Sequence, residues 1–140
     1  MKKVYDTINQ YCVEHELLTN GDGIVIGLSG GMDSVCLLQV LAALRNEWQL
    51  RLVCVHVHHG IRGTAADEDA AFAQRLAAKY NIPFRLYEMD IPQLAKEQGL
   101  SEEEAGRNCR YRCFEEVRKE LNFDKIAVAH HRDDQAETVL

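Results

Sequence analysis

Apolar positions along this chain fall into short solid runs separated by longer stretches of helical periodicity. Ile24 to Leu28 (IVIGL), Leu50 to Val57, Phe84 to Met89 and Lys125 to Ala129 read as four strands. The first is continuously apolar and β-branched, as in a strand covered on both faces. Residues 3 to 18 place Val4, Ile8, Tyr11, Cys12 and Leu18 at helical spacing, until Gly21-Asp22-Gly23 breaks the pattern. Asp33 to Arg45 is apolar nearly all round. A further helix starts at Asp67, Glu68 and Asp69, whose charge suits a helix N-terminus; it carries an inner stripe of Phe72, Ala73 and Leu76, and Pro83 stops it. Pro92 and Gly99 bracket a short helix, and Ser101-Glu102-Glu103-Glu104 forms a capping box for a longer one.

Strands alternating with helices, without repeat or linker, predict one α/β domain over residues 1–140. The expected architecture is a doubly wound, mostly parallel sheet with helices on both faces and right-handed crossovers. On the helix after Ser101, Ala105, Cys109, Cys113, Val117 and Leu121 share one i, i+4 row with Phe114 at its flank. Arg110 projects between Val117 and Leu121, so it needs an anionic partner, either a ligand or active-site carboxylate or a structural salt bridge. Glu116 and Glu120 also fall within the broad inner arc.

Composition narrows the class. With 140 residues, 46% hydrophobic and 27% charged, the chain can hide roughly two thirds of its unfolded surface and needs no disulfide or metal scaffold. Its five cysteines, Cys12, Cys36, Cys54, Cys109 and Cys113, form no CxxC pair and read as reduced and mostly buried. The polar residues Asp6, Asn9 and Gln10 stand where a signal peptide would be apolar, and no run approaches a membrane span. A cytoplasmic protein without membrane association is expected. The net charge is −6, with five basic against nine acidic residues in 1–70 and eleven against thirteen in 71–140. Neither half is basic enough to hold nucleic acid by itself.

The chemistry gathers at the strand ends. Ser29-Gly30-Gly31-Met32-Asp33-Ser34 lies between the first strand and its helix, where loop amides, hydroxyls and the helix N-terminus can cradle an anion. The spacing and lysine of a Walker loop are missing, as is GxGxxG. HVHHGIRG follows the second strand and HHRDDQAET the fourth, whereas only Asp90 and Ile91 follow the third. Asp134 and Glu137, three apart, share a helix face, as do Asp133 and Glu137, four apart. Such a pair can grip an ammonium or a metal, act as a base, or simply supply first-turn charge. His130 and His131 could orient phosphate or shuttle protons, and zinc is disfavoured without a cysteine or HExxH pattern.

SGGMDS resembles the PP-loop signature SGGxDS of ATP pyrophosphatases, of the adenine nucleotide alpha hydrolase-like fold. SGGMDS, HVHHGIRG, SEEEAGRNCRYRCFEEV and AHHRDDQAETVL in this order resemble the N-terminal catalytic domain of the tRNA(Ile)-lysidine synthetase family. His58 stands where that family usually has asparagine. The resemblance implies ligation of free L-lysine to C2 of the wobble cytidine of a tRNA(Ile) with a CAU anticodon, using ATP and Mg²⁺, through an adenylated cytidine. It places Ser29, Gly30, Gly31, Met32, Asp33 and Ser34 on ATP, Asp33 on Mg²⁺, and Val55 and His56 beside the adenine. Asp33, Arg110, His130, Asp134 and Glu137 become the catalytic set, with Asp134 and Glu137 on the lysine ammonium and Arg110 positioning lysine or adenylate. Homodimerisation stays open. Another adenylating enzyme of this class, for thiolation or amide formation, and an ATP-binding module without turnover are the alternatives. Because Asp133 to Leu140 starts a helix that lacks a C-terminal cap, the chain reads as the first part of a longer enzyme. Alone it is expected to bind ATP weakly and to leave tRNA unmodified.

Overall fold

The computed structural model describes residues 18–28, 32–60 and 65–128, with backbone alone at Met32 and Asp33. The helix expected over residues 3–18 therefore lies outside the described residues apart from Leu18, which is buried and not helical. In chain order the elements are β1 (Gly23–Gly27), α1 (Met32–Trp48), β2 (Arg51–His58), α2 (Ala65–Lys79), β3 (Phe84–Glu88), α3 (Ile91–Gln98), α4 (Glu102–Glu120) and β4 (Lys125–Val128). The four strands form one parallel sheet in the order β3-β2-β1-β4. Each strand agrees with the sequence pattern to within one residue at either end.

Strand alternation decides which helix each side chain meets. Ile24 and Ile26 of β1, with Leu52 and Cys54 of β2, pack under Leu38, Leu41 and Leu44 of α1 and Ala73, Leu76 and Ala77 of α2. Val25, Val53, Val55 and Val57 face the other way, toward Ile91 and Ala95 of α3 and Cys109, Cys113, Phe114 and Val117 of α4. Helices thus cover both faces, and β1 is buried at all five positions.

Local sequence explains most helix boundaries. Asp90 caps α3, its side chain accepting from Gln93 N at 3.1 Å, and Gly99 ends it in the left-handed conformation at φ 67°. Ser101 caps α4 by accepting from Glu104 N at 3.1 Å. Two expected stops are corrected. α1 continues past Arg45 to Trp48 and turns at Gln49, φ 51°, while α2 ends at Lys79 and turns at Asn81, φ 57°, ahead of Pro83. Arg45 instead reaches across, donating from Nη2 to the Tyr80 carbonyl at 2.9 Å.

The inner stripe of α2 is also corrected. Ala70, Ala73, Leu76 and Ala77 are buried and Phe72 is exposed, because position 72 stands about 100° round the helix from Ala73. Small residues let α2 lie close to the sheet. On α4 the row from Ala105 to Val117 is buried as expected and Leu121 partly so, while Glu116 and Glu120 are exposed, which makes the packed stripe narrower than the projection allowed. Cys54, Cys109 and Cys113 are buried and free, Cys36 is exposed, and Cys12 lies outside the described residues. Burial pushes the thiols of Cys54 and Cys113 up to about 12, so they serve as apolar fillers.

Polar contacts lock the amino ends of the strands. The buried Asp22 carboxylate accepts from Thr19 N and Lys125 Nζ, each at 2.7 Å, tying β1 to β4. Asp124 accepts from Gly23 N at 2.8 Å and Arg51 Nη2 at 3.3 Å, adding β2. No helix among the described residues is long and apolar enough to cross a membrane.

At the carboxyl end of β1, Gly27 lies against the Phe114 ring; a Cβ there would stand 2.6 Å from Phe114 Cζ. Two predictions follow from these contacts. Gly27→Ala should lower the unfolding free energy in urea by about 1–3 kcal/mol, and Phe114→Leu in the same chain should recover part of the loss; strictly additive losses would contradict the contact. Asp22→Ala should cost about 3 kcal/mol by leaving Lys125 without its carboxylate, and a loss under about 1 kcal/mol would reduce the pair to an ordinary surface bridge.

Candidate active site

The strand order reverses at β1: the chain proceeds outward through β2 and β3, then returns to place β4 on the other side of β1. In open α/β sheets the crevice beyond the carboxyl ends of the strands at such a reversal is where ligands bind. Here the step has a definite shape. Gly27 pairs with Val55 and with Val128, whereas β2 runs on to His58, opposite Glu88 of β3. The β2 and β3 ends therefore rise past the end of β1 and form a wall there.

The segment leading into α1 carries the glycine-serine motif. Ser29, Gly30 and Gly31 lie outside the described residues; Met32 and Asp33 open α1, and Ser34, in its first turn, is 2% exposed. β1 ends at Gly27 and α1 begins at Met32, and the N-terminus of a helix suits an anion. His130, Asp134 and Glu137 lie outside the described residues. Among the described residues no group of three or more His, Cys, Asp or Glu could hold a metal.

The wall is made of histidines with fixed roles. His56 is buried, and its Nδ1 donates to the Leu28 carbonyl at 2.6 Å, tying β2 to the last described residue before the motif. Val55 is fully buried among the residues facing α3 and α4, and its carbonyl accepts from Leu28 N at 2.9 Å. Val55 therefore supports the wall through backbone and packing, and His56 is the residue of the two that lies on the α1 side. His58 is 3% exposed; its Nδ1 accepts from Gly60 N at 2.9 Å, so the ring proton sits on Nε2 and is donated to Asp67 Oδ1 at 2.5 Å. This bond spans from the β2 end to the first turn of α2. Asparagine likewise carries one acceptor and a donor on its side chain.

Arg110 is half-buried on α4, and its Nη1 lies 3.4 Å from His59 Nε2. Among the described residues it forms no ion pair, so the structural salt bridge open to it in sequence is not made there. Burial holds the guanidinium below its ordinary range, with Arg107 adding to the effect. His59 is likewise held below 6.5, first by burial and then by the charges of Arg110, His56 and His58. Gly106 lies one turn before Arg110: a Cβ there would stand 3.4 Å from Arg110 Nη1 and 3.5 Å from His59 Cε1. Sequence reasoning placed His59 at the end of the second strand and left its role open, and it passed over Gly106 and the hydrogen-bonding role of Asp67.

The His58 bonds make a prediction. His58→Leu should destabilise the protein by about 1–3 kcal/mol, since it removes the acceptor for Gly60 N and the donor to Asp67, whereas His58→Asn should lose clearly less. Equal losses in thermal or urea unfolding would show that packing alone, and not the two hydrogen bonds, holds the β2 end.

Comparison with known proteins agrees with this geometry. The PP-loop domain family matches residues 2–140. A tRNA(Ile)-lysidine synthase of Caldanaerobacter subterraneus subsp. tengcongensis is 49% identical over 140 residues, which is 100% of this chain and 29% of that protein. One from Clostridium tetani is 42% identical over 137 residues, covering 98% of this chain and 28% of that protein. The chain thus spans less than a third of the length of these relatives. Among solved structures, the U34-tRNA thiolase NcsA from Methanococcus maripaludis with its [4Fe-4S] cluster superposes with a TM-score of 0.73 at 20% identity, over 95% of this chain and 47% of that one. The NH3-dependent NAD synthetase from Campylobacter jejuni, in complex with the nitrate ion, gives 0.64 at 19% identity, over 89% and 54%. At such identities the likeness is one of fold. With strand order, phosphate-type motif and family match in agreement, this chain belongs to the PP-loop domain family.

Proposed function

We propose that this chain is the ATP-using, adenylating part of a tRNA(Ile)-lysidine synthase. The observation that carries the reading is identity of 49% along its whole length with a protein so named. The site geometry supports it through an anion-seeking step beside β1 and a guanidinium, Arg110, that has no carboxylate partner among the described residues.

In this reading the O2 oxygen of the wobble cytidine attacks the α-phosphorus of ATP; an O–P bond forms, the α–β bridging bond breaks, and pyrophosphate leaves. The ε-amine of lysine then attacks C2, the C2–O2 bond breaks, and AMP departs with that oxygen. Loop amides and the hydroxyls of Ser29 and Ser34 bind the phosphates, with Gly30, Gly31 and Met32 lining the cradle. Asp33 is assigned to Mg²⁺, which when bound offsets charge on the leaving pyrophosphate. Val55 and His56 border the adenine, Val55 through its backbone. Asp134 and Glu137 receive the lysine ammonium, and one of them or His130 takes the proton that the amine must lose before it can attack. Arg110 binds an anion of lysine or of the adenylate.

The acidic balance of −6 leaves little here to attract a tRNA backbone. We assign most of that grip to the parts of the longer relatives that this chain does not match. A cytoplasmic setting follows from a tRNA substrate. The thiolation alternative is given little support by the cysteines: of those described, only Cys36 is exposed.

The test is AMP release from ATP by the full-length protein with tRNA(Ile) bearing CAU, with and without lysine. Release should depend on lysine, and Asp134→Ala or Arg110→Ala should slow single-turnover lysidine formation roughly a hundredfold. Lysine-independent release, or undiminished lysidine formation in these variants, would remove the reading or the residues from it.

A further inference from the structure

Arg110 is buried enough to need an acceptor, and the acceptor it meets among the described residues is a neutral imidazole. A guanidinium carries donors only, so the 3.4 Å contact makes His59 Nε2 the lone-pair nitrogen and puts the ring proton on Nδ1. His59 is itself held on a rigid base. Its carbonyl accepts from Ile91 N at 3.3 Å, the preceding carbonyl of His58 accepts from Met89 N at 2.9 Å, and Gly60 N is tied to the His58 ring. Gly106 flanks the pair: a Cβ there would make ordinary contact with both the guanidinium and the imidazole. A carboxylate in the same place would orient Arg110 and also neutralise it. A neutral acceptor orients it without cancelling its charge, which a guanidinium can then offer to an incoming anion.

We infer that His59 is a positioning residue for Arg110, holding its guanidinium at the carboxyl-edge step as a fork for an anionic group of the substrate. The inference rests on the adenylating reading for its substrate, a lysine carboxylate or an adenylate phosphate, and on geometry alone for the pairing. It carries a pH dependence. Among the described residues, the charged or titratable groups facing His59 are Arg110 from α4 and His56 and His58 from β2, while Ile91 and Gly106 add no charge. Because the folded-state value lies below 6.5, the stability linked to His59 is fully present above 6.5 and is lost as pH falls through the lowered value. Over the same window a protonated ring can no longer accept from Arg110 and repels it.

The experiment uses the full-length protein with His59→Phe, His59→Gln, Arg110→Ala and the double variant His59→Phe/Arg110→Ala. Imidazole ¹⁵N spectra of the wild type should show the Nδ1–H tautomer of His59 titrating below 6.5, moving upward in Arg110→Ala. Single-turnover lysidine formation should fall roughly tenfold in His59→Phe and recover to within about threefold in His59→Gln, which keeps an acceptor. The double variant should be no slower than Arg110→Ala, since coupled positions do not add. A rise confined to the KM for lysine would identify the carboxylate as the anion; a slower pyrophosphate release would identify the phosphate. A His59 that titrates alike with and without Arg110, or effects that multiply in the double variant, would overturn the pairing. Should the wild type form no lysidine, the functional reading fails, and the titration still decides the pairing.

Discussion

Burial of β1 on both faces is the constraint from which the rest of the molecule follows. Its five residues have no solvent-facing side, so helices must pack above and below, and the chain must cross the sheet to supply them. Gly27 is where that enclosure meets function. With no side chain it admits the Phe114 ring from α4, which closes that face of the sheet at the strand end next to the glycine-serine motif in sequence. The strand end is therefore rigid because it is packed, and the motif starts from a fixed point. At the opposite end, Asp22 and Asp124 tie β1 to both neighbours, leaving the carboxyl edge free for chemistry.

Around that edge the elements divide the work. α1 offers its N-terminus, β2 rises as a wall of His56, His58 and His59, and α4 brings Arg110 over the wall. Each histidine ring is oriented by a named partner: the Leu28 carbonyl, the Gly60 N–H with Asp67, and the Arg110 guanidinium. These contacts orient the three rings, and the guanidinium of Arg110 stands beside them.

Much of this was legible in the sequence because apolar runs and glycine-serine turns are local signals. The strands were placed to within a residue, and the Ser101 cap and the Cys109–Cys113 row were read correctly. The failures are nonlocal. Phe72 looked like core by type, yet the close approach that alanines allow moved the stripe round α2. Gln49 and Asn81 ended helices by adopting left-handed backbone, a choice that composition does not announce. His59 and Arg110 meet across 51 positions of chain, and only the sheet order brings them together. The roles given to Ser29, His130, Asp134 and Glu137 rest on the family resemblance, since these residues lie outside the described part of the structure.

The central claim is that the step beside β1 activates a tRNA carbonyl as an adenylate. Its most direct test is oxygen transfer. A tRNA(Ile) labelled with ¹⁸O at O2 of the wobble cytidine, turned over with ATP and lysine by the full-length protein, should yield AMP that carries one ¹⁸O. Unlabelled AMP accompanying lysidine formation would contradict the account, because the carbonyl oxygen would then have left by another route.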